Sequence, residues 1–444
     1  MTGSERSGRG PHPTRAPRDR AIVATLILPE SDSALQETPL AEITALAEAA
    51  GADVVGGLFQ RLPHPNPRAA FGAGKIQELK DLVAACDASV VIVDFDLSPS
   101  QGRNLEKEVG QRIVDRTELI LDIFATRAQS RQAKLQVELA QLQYMRTRLR
   151  RMWTHLERSE GAIGTRGPGE TQLESDRRLI DRKVSELRER LREIERRRHR
   201  EAISREHPEM VSLVGYTNAG KSSLLRRLTG AEAFVADQLF ATLDTRVRSW
   251  RLQDRRRVLL ADTVGFVRDL PHHLVASFPA TLEETLNADL LLHVADAADP
   301  QLESHLRAVH QVLEALGAAE IPRLLLLNKA DRLLPEERLL VAAQYPEALL
   351  VSASSGEGLD ALDAVVAGRL DAWSLRLDVE IPASAGKLLA EFRTVARIER
   401  EEWVDERWQA TVLLPTRPWQ QLRPEIEANG GVWRASAAGP TPVL

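Results

Sequence analysis

The first constraints come from what this sequence lacks. The 444-residue chain has a single cysteine, Cys86, which excludes an internal disulfide and a cysteine-built zinc site. No apolar run approaches the roughly 20 residues that a membrane-spanning helix needs. The first residues also lack the apolar stretch of a signal peptide. Together these absences favour a cytoplasmic protein without a membrane span.

The chain also lacks an excess of positive charge. Its formal net charge is -5 and its pI is about 6.1, which argues against a globally basic nucleic-acid-binding protein. Any contact with RNA must therefore come from a local basic patch. The length is too great for one ordinary core, so we expect two to four domains.

The N-terminal part of the sequence alternates between strand and helix patterns. Residues 1–20 are rich in Gly, Pro, Ser and Arg and predict a disordered tail. Residues 21–116 contain apolar strand segments such as AIVATLIL and SVVIVDF, separated by helical segments. This alternation predicts a small, largely parallel α/β sheet.

Residues 117–206 carry a different pattern. Two seams of apolar residues recur at three- and four-residue steps and predict long helices; they are Leu135, Leu139, Leu142 and Leu149, then Ile180, Val184, Leu187, Leu191 and Ile194. A stretch rich in glycine lies between them, which predicts an antiparallel helical hairpin. The second arm, 177–200, has eleven Arg and Lys against five acidic residues. An RNA contact and an ordinary solvated face both explain this charge.

The C-terminal half predicts two further domains. In residues 207–372 the strand patterns MVSLVG, RVLLAD, LLLHVAD and RLLLLNK alternate with helices, as in a doubly wound α/β domain. Residues 373–444 read strand, helix, strand, strand, helix, strand, which suits a small ferredoxin-like domain. The predicted fold class is therefore multidomain α/β: an N-terminal α/β domain, a long antiparallel helical hairpin, a central doubly wound domain and a small ferredoxin-like C-terminal domain.

The segment GYTNAGKS (215–222) matches the phosphate-binding P-loop pattern between a strand and a helix. Gly215 and Gly220 allow backbone N–H groups to approach phosphates, and the helix N-terminus adds positive partial charge. We expect Lys221 to reach the β- and γ-phosphates and the Ser222 hydroxyl to bind Mg²⁺. A glycine turn with no ligand is the alternative, and the strand–loop–helix context argues against it.

Three more short motifs lie at predicted strand ends. Asp262 of DTVG (262–265) is placed to hold Mg²⁺ through a water, and the Gly265 N–H to meet the γ-phosphate. Asp331 of NKAD (328–331) can accept two hydrogen bonds from guanine, a pair that adenine does not offer, which favours GTP over ATP. The SAS segment (352–354) supplies backbone groups for the guanine oxygen.

The segment FATLD (240–244) is the candidate for the loop that senses GTP. Thr242 is the candidate to cap Mg²⁺ and the γ-phosphate, although an ordinary loop threonine is the alternative because Thr245 is close by. Phe266 follows Gly265, where many GTPases have a water-orienting glutamine. We therefore expect slow intrinsic hydrolysis that needs help from elsewhere.

The predicted site combines these motifs. The residues expected to bind nucleotide are Gly215, Tyr216, Thr217, Asn218, Ala219, Gly220, Lys221, Ser222, Ser223, Phe240, Ala241, Thr242, Leu243, Asp244, Asp262, Thr263, Val264, Gly265, Asn328, Lys329, Ala330, Asp331, Ser352, Ala353 and Ser354. Those expected to act in catalysis are Lys221, Thr242, Gly265 and Asn218. The expected metal-binding residues are Ser222, Thr242 and, through water, Asp262.

The chain resembles the HflX family of ribosome-associated GTPases along nearly its whole length. The resemblance rests on FGAGKIQEL, on residues 115–144 and 164–178, and on DTVGFVRDLPHHLV with TLEET. It implies an N-terminal domain, a helical hairpin, a GTPase domain and a variable C-terminal domain. It also implies binding of GTP and GDP, and of the large (50S) subunit and the 70S ribosome through rRNA, with splitting or rescue of stalled ribosomes.

The resemblance raises two questions about further ligands. ATP binding is attributed to the N-terminal region of some members, but the GAGK at 72–75 lacks the first glycine of a P-loop, since position 69 is Ala, and reads as a turn. Similar GTPases with an asparagine at the position of Asn218 use K⁺, and here the Asn218 carbonyl either reaches such an ion or only braces the loop. We expect a monomer.

Two other functions remain open at this point. A GTPase of ribosome assembly or RNA modification would use the same switch on another RNA. The second alternative is an RNA-binding scaffold that nucleotide stabilises and that hydrolyses GTP negligibly. Phe266 supports this alternative, because its side chain cannot orient a water.

Overall fold

The computed structural model describes residues 18–29, 31, 37–149, 168–203, 209–230, 240, 246–254, 256–268, 285–372 and 374–436. The chain divides into two compact units. One comprises Met1–Thr126 with Tyr144–Glu174, and the other Arg127–Gln143 with Ser175–Leu444. Within the described ranges, none of the helices combines the length and apolar character of a bilayer-spanning segment.

The first unit is built on a four-stranded parallel sheet, as predicted. Its elements are β1 (Arg20–Ile27), α1 (Ala41–Ala49), β2 (Asp53–Arg61), α2 (Ala73–Cys86), β3 (Val90–Asp94), α3 (Pro99–Val109), β4 (Arg112–Asp115) and α4 (Arg116–Arg127). The strand order is β2-β1-β3-β4. Apolar residues of β1 and β3 pack against α2 and α3, and Arg20, which the predicted tail included, is already the first residue of β1.

Helix α4 closes this sheet with buried ion pairs. Arg116 pairs with Glu42 of α1 and Asp94 of β3, and Thr117 donates a hydrogen bond to Asp96. The apolar face of α4 is buried as well. The sequence interpretation began the helical hairpin at residue 117, but the helix break falls later, at residues 128–130.

Two long helices follow, α5 (Arg131–Leu149) and α6 (Pro168–Ile203). On α6 the predicted seam residues Ile180, Val184, Leu187 and Leu191 are buried, whereas on α5 Leu139 is buried and Leu135 and Leu142 are half-buried. Near its end α5 is tied to the N-terminal sheet, because Arg148 pairs with Asp115 and the Tyr144 hydroxyl donates to the same carboxylate at 2.7 Å. The antiparallel pairing of the two helices stays a prediction.

The nucleotide-motif region forms a six-stranded, mostly parallel sheet. Its elements are β5 (Met210–Val214), α7 (Lys221–Thr229), β6 (Arg246–Arg251), β7 (Arg257–Asp262), β8 (Leu290–Asp296), α8 (Leu302–Ala315), β9 (Arg323–Asn328), α9 (Pro335–Gln344), β10 (Leu349–Leu350) and α10 (Leu359–Ala372). The order is β10-β9-β8-β5-β7-β6, and only β6 runs antiparallel to its neighbour. Parallel neighbours bring their carboxyl ends to one edge, where ligands of such sheets bind.

The C-terminal region has the predicted ferredoxin-like order. Its elements are β11 (Ser374–Pro382), α11 (Gly386–Val395), β12 (Arg397–Val404), β13 (Arg407–Pro415), α12 (Thr416–Ala428) and β14 (Val432–Ala435). The sheet is antiparallel in the order β12-β13-β11-β14. Alternate residues of β11 and β13 pack with both helices around Phe392 and Trp408, which is why the strand pattern alternates.

Candidate nucleotide site

The P-loop joins the end of β5 to the start of α7. Gly220 precedes the helix with φ +93°, and a Cβ there would lie 2.2 Å from Asn328 Nδ2, so only glycine fits. Asn328 in turn donates to the Ala219 carbonyl at 2.9 Å. The loop is therefore held by the end of β9 as well as by its own strand and helix.

Lys221 is buried inside this loop. Its Nζ donates to the carbonyls of Gly215 at 3.0 Å and Tyr216 at 2.8 Å. Burial lowers the pKa of Lys221 to about 8, although the nearby Asp262 carboxylate acts in the opposite direction. The ammonium is thus oriented beside the loop's N–H groups, as a phosphate ligand requires.

Ser222 and Asp262 lie together where a magnesium ion is expected. The Ser222 hydroxyl donates to Asp262 Oδ2 at 2.7 Å, and Asp262 at the end of β7 is fully buried. Oxygen donors of this kind suit Mg²⁺, which keeps several waters and takes phosphate oxygens. Among the described residues no group of three or more His, Cys, Asp or Glu could enclose a metal by itself, so the pair fits an ion shared with a nucleotide.

The segment after β7 is bonded directly to the P-loop. The Phe266 N–H donates to the Gly215 carbonyl at 3.1 Å, and the Thr217 N–H donates to the Phe266 carbonyl at 2.8 Å. A Cβ on Gly265 would lie 2.8 Å from Thr217 Cγ2 and 3.0 Å from Lys221 Nζ. The Gly265 backbone therefore lies beside the Lys221 ammonium, while the Phe266 side chain is only 1% exposed.

The motifs at the ends of β9 and β10 form the other end of the site. Asp331 is exposed and accepts a hydrogen bond from the Ser352 hydroxyl at 2.5 Å; this bond is the main cause that lowers the pKa of Asp331. The Ala353 N–H donates to Asn328 Oδ1 at 3.0 Å. These two hydrogen bonds join the NKAD and SAS segments where the guanine base is expected.

Comparisons with known proteins agree with this geometry. Three family models match in succession: GTP-binding GTPase N-terminal over residues 37–125, GTP-binding GTPase Middle Region over 127–205, and 50S ribosome-binding GTPase over 210–329. The GTPase HflX of Escherichia coli K12 is 45% identical over 389 residues, 86% of this chain and 91% of that protein. The GTPase HflX of Magnetococcus marinus is 40% identical and covers 93% of this chain and 96% of its own length.

The chain belongs to the GTPase HflX family. Among solved structures, a GTP-binding protein from Sulfolobus solfataricus in complex with GDP is 25% identical, with a TM-score of 0.40, and covers 78% of this chain and 98% of its own. The family and the GTPase class expected from the sequence are confirmed.

Several contacts in this HflX GTPase domain were not foreseen from sequence. Lys329 forms an ion pair with Asp296 at 2.7 Å. Asp296 ends the neighbouring strand β8, and its position directly after the apolar run LLLHVA is a sequence signal for such a strand-end carboxylate. Arg338 donates hydrogen bonds to Glu357 at 2.6 Å and to the carbonyl of Ala330, within NKAD, at 2.7 Å. Nothing local in the sequence marks Arg338.

Four predicted HflX site residues are not among the described ones. Ala241, Thr242, Leu243 and Asp244 lie outside the described residues, as do residues 269–284 and the hairpin tip from 150 to 167. Phe240 is described and buried. Of the GAGK segment, Gly72 precedes α2 and its N–H donates to Gln60 of β2 at 3.0 Å, while Lys75 pairs with Glu78 within α2.

Proposed function

We propose that this chain couples GTP hydrolysis to binding of the large ribosomal subunit, and that the cycle splits or rescues stalled ribosomes. The observation that carries the proposal is the match of residues 210–329, which include the P-loop, DTVG and NK of NKAD, to the 50S ribosome-binding GTPase model. The E. coli relative, similar over 86% of this chain, supports a shared activity for the whole molecule.

The charge on α6 supports an RNA contact. Arg182, Arg188 and Arg190 are exposed, while the seam residues of the same helix are buried. Exposed arginines on one helix in a chain of net charge -5 form a local cationic surface that phosphates attract. We take this surface to be an rRNA contact.

The hairpin tip, residues 156–170, is proposed to enter the large subunit near the peptidyl-transferase centre. It contains Arg158, Arg166 and several glycines, and arginine pairs with phosphate or stacks on bases. Replacing residues 158–168 by a Gly/Ser linker, or Arg166→Ala, should spare GTP affinity and basal hydrolysis but lower ribosome splitting. Wild-type splitting by the replaced protein in a sucrose gradient would make the tip a mere connector.

The ions of the reaction follow from the site. Mg²⁺ would be held by Ser222 and, through water, by Asp262, with Thr242 added when GTP is bound, and it would supply charge for the transferring phosphoryl group. For K⁺, the Asn218 side chain is exposed, and its amide has no hydrogen-bond partner in the described part of the chain, which favours an ion ligand over a brace. Equal rates in K⁺ and Na⁺ buffers with ribosomes present would count against it.

A second nucleotide on the N-terminal unit has less support. The strands β3 and β4 end in Asp94 and Asp115, which pair with Arg116 and Arg148; carboxylates already engage these two arginines, and a triphosphate would have to compete for them. Equilibrium dialysis of ATP against an Asp331→Asn variant, saturated with xanthosine diphosphate, would detect such a site.

We also propose that the protein is cytoplasmic and acts as a monomer. Analytical ultracentrifugation measures its oligomeric state.

The central experiment measures GTP hydrolysis with added 70S ribosomes and with isolated 50S subunits. We expect strong stimulation by both, because Phe266 offers no group to orient water and the ribosome must supply the missing help. A rate that ribosomes leave unchanged would refute the coupling. Co-sedimentation with mature subunits and with precursor particles, run in parallel, would expose a role in assembly instead.

The buried Phe266 favours one alternative function. A scaffold that binds RNA while GTP merely stabilises its fold would need no hydrolysis, and this position carries no water-binding side chain. That function predicts negligible turnover under every condition, with ribosome binding that GTP and GDP support equally.

A further inference from the structure

The side chain of Tyr216, within the P-loop, links three parts of the GTPase domain. Its ring stacks on the His305 imidazole of α8, with centroids 3.8 Å apart and planes 13° from parallel. Its hydroxyl accepts a hydrogen bond from the Arg268 N–H at 2.9 Å. The ring is thus held by α8 while the hydroxyl holds the segment that follows β7.

The stacking partner is itself held in place. His305 Nδ1 lies 3.2 Å from Asp299 Oδ2, and the Gln301 N–H donates to the same carboxyl group at 2.8 Å. Burial opposes ionisation of Asp299, but these two hydrogen bonds lower its pKa below the ordinary value. The aspartate is therefore a carboxylate at neutral pH that accepts from Nδ1–H, which fixes the imidazole plane.

The segment that Tyr216 holds is the one that faces the phosphates. Arg268 is two residues beyond Phe266, whose backbone is bonded to Gly215 and Thr217. Gly265, one residue earlier, lies beside Lys221 Nζ. In the described part of the chain, residues 265–268 are therefore held by backbone hydrogen bonds at Phe266 and by the bond from the Arg268 N–H to the Tyr216 hydroxyl.

We propose that Tyr216, held by His305, is a positioning residue for GTP hydrolysis: its hydroxyl keeps residues 265–268 in place so that the Gly265 N–H meets the γ-phosphate. Because Phe266 has an apolar side chain, the backbone is what this segment offers to the developing charge. GDP has no γ-phosphate, so the anchor should distinguish the two nucleotides.

The test uses the full-length protein without ribosomes. Tyr216→Phe keeps the stacked ring and removes only the hydroxyl. We expect fluorescent GDP to bind within about twofold of the wild type, and fluorescent GMPPNP to bind about threefold to tenfold more weakly, which is the size of one hydrogen bond. The single-turnover rate of GTP hydrolysis should fall by at least the same factor.

Variants of α8 separate positioning from packing. His305→Ala should shift the GDP-to-GMPPNP affinity ratio in the same direction, and His305→Phe should restore it because a flat ring can stack again. His310→Ala is the matched control on the same helix, since that imidazole contacts Arg323 and Glu314 instead, and it should leave the ratio unchanged.

The following results for Tyr216→Phe would contradict a positioning role. If Tyr216→Phe weakens both nucleotides equally, or lowers only the melting temperature, the tyrosine is a packing residue. An unchanged ratio and rate would mean that the hydroxyl has no role in positioning. Tighter GMPPNP binding would mean that the bond holds the segment away from the phosphate, the reverse of the role proposed.

Discussion

At the scale of single residues, we propose that Asp331 selects the guanine base. Its exposed carboxylate is oriented by the Ser352 hydroxyl and can accept two hydrogen bonds from guanine. Asp331→Asn should weaken GDP binding at least about tenfold, because charge-assisted hydrogen bonds are lost, and should favour xanthosine diphosphate. Titration of both fluorescent nucleotides measures the change.

The matched control for this substitution is Asp360→Asn. Asp360 is an exposed aspartate of the same domain that contacts Gln253 rather than the site, so its loss should leave both affinities within about twofold. Unchanged guanine affinity in Asp331→Asn would remove Asp331 from its assigned role.

Lys221 should make nucleotide binding depend on pH. Its pKa in the folded protein is about 8, below the unperturbed value of about 10.4. Below pH 8 the Lys221 side chain is mostly protonated and can form an ion pair with a phosphate group. Above it the protein must take up a proton to bind, so GDP affinity should fall by up to about tenfold per pH unit.

The free energy of unfolding should change with pH in the opposite direction to the GDP affinity. Between about pH 8 and pH 10.4 the unfolded chain retains a proton that folded Lys221 has lost, so this group's contribution to the free energy of unfolding rises with pH.

Calorimetry of GDP binding at pH 7.0 and 8.8, in buffers of different ionisation heat, reports the proton uptake on binding. Equal affinities at the two pH values would contradict the lowered pKa.

At the scale of elements, the segment after β7 approaches the P-loop so closely that position 265 should not tolerate a side chain. Gly265→Ala would place a Cβ 2.8 Å from Thr217 Cγ2 and 3.0 Å from Lys221 Nζ, which moves the segment off the phosphate. We expect the single-turnover rate of GTP hydrolysis to fall about tenfold or more, as for the loss of one backbone donor to a developing charge.

Gly368→Ala provides the control for an added methyl group. Gly368 lies in α10, exposed, with open space where its Cβ would stand. This change should leave the rate unaltered and raise the free energy of unfolding by about 0.5–1 kcal/mol, since alanine is the better helix former. A wild-type rate in Gly265→Ala would contradict the prediction, because it would show that Thr217 and Lys221 can move to make room for the added methyl group.

At the scale of the whole molecule, the proposed RNA contact needs a local basic region, because the net charge of the chain is -5. The double variant Arg182→Glu, Arg188→Glu on α6 should weaken co-sedimentation with 50S subunits. It should also reduce the salt dependence of binding by about one unit of slope for each phosphate that these arginines no longer neutralise. GDP affinity should stay at the wild-type value.

The control has the same change of charge elsewhere. Arg400→Glu with Arg434→Glu alters two arginines of the C-terminal sheet, of which Arg400 pairs with Glu402 and Arg434 with Asp378. We expect less than a twofold effect on subunit binding. Equal losses in both double variants would assign the attraction to net charge rather than to α6.

The sequence by itself determined the elements and the chemistry of the motifs. GYTNAGKS lies between β5 and α7 because an apolar run, a glycine loop and a helical pattern are all local signals. The ferredoxin-like order of residues 374–435 followed from strand and helix periods for the same reason. The family was evident from long strings such as DTVGFVRDLPHHLV, and the comparisons confirm it.

Only the tertiary structure decided which distant residues meet. Residues 117–127 read as the start of the hairpin, yet they belong to α4, whose first residue, Arg116, is buried with Glu42 and Asp94; this contact exists only once α4 packs beside β3. The register that sets Asp296 beside Asn328 produces the Asp296–Lys329 pair, and Tyr216 meets His305 across 89 positions of sequence. Periodicity shows which face of an element is apolar, but which elements become neighbours depends on the strand order of the finished sheet, and that order is set by packing of the whole core.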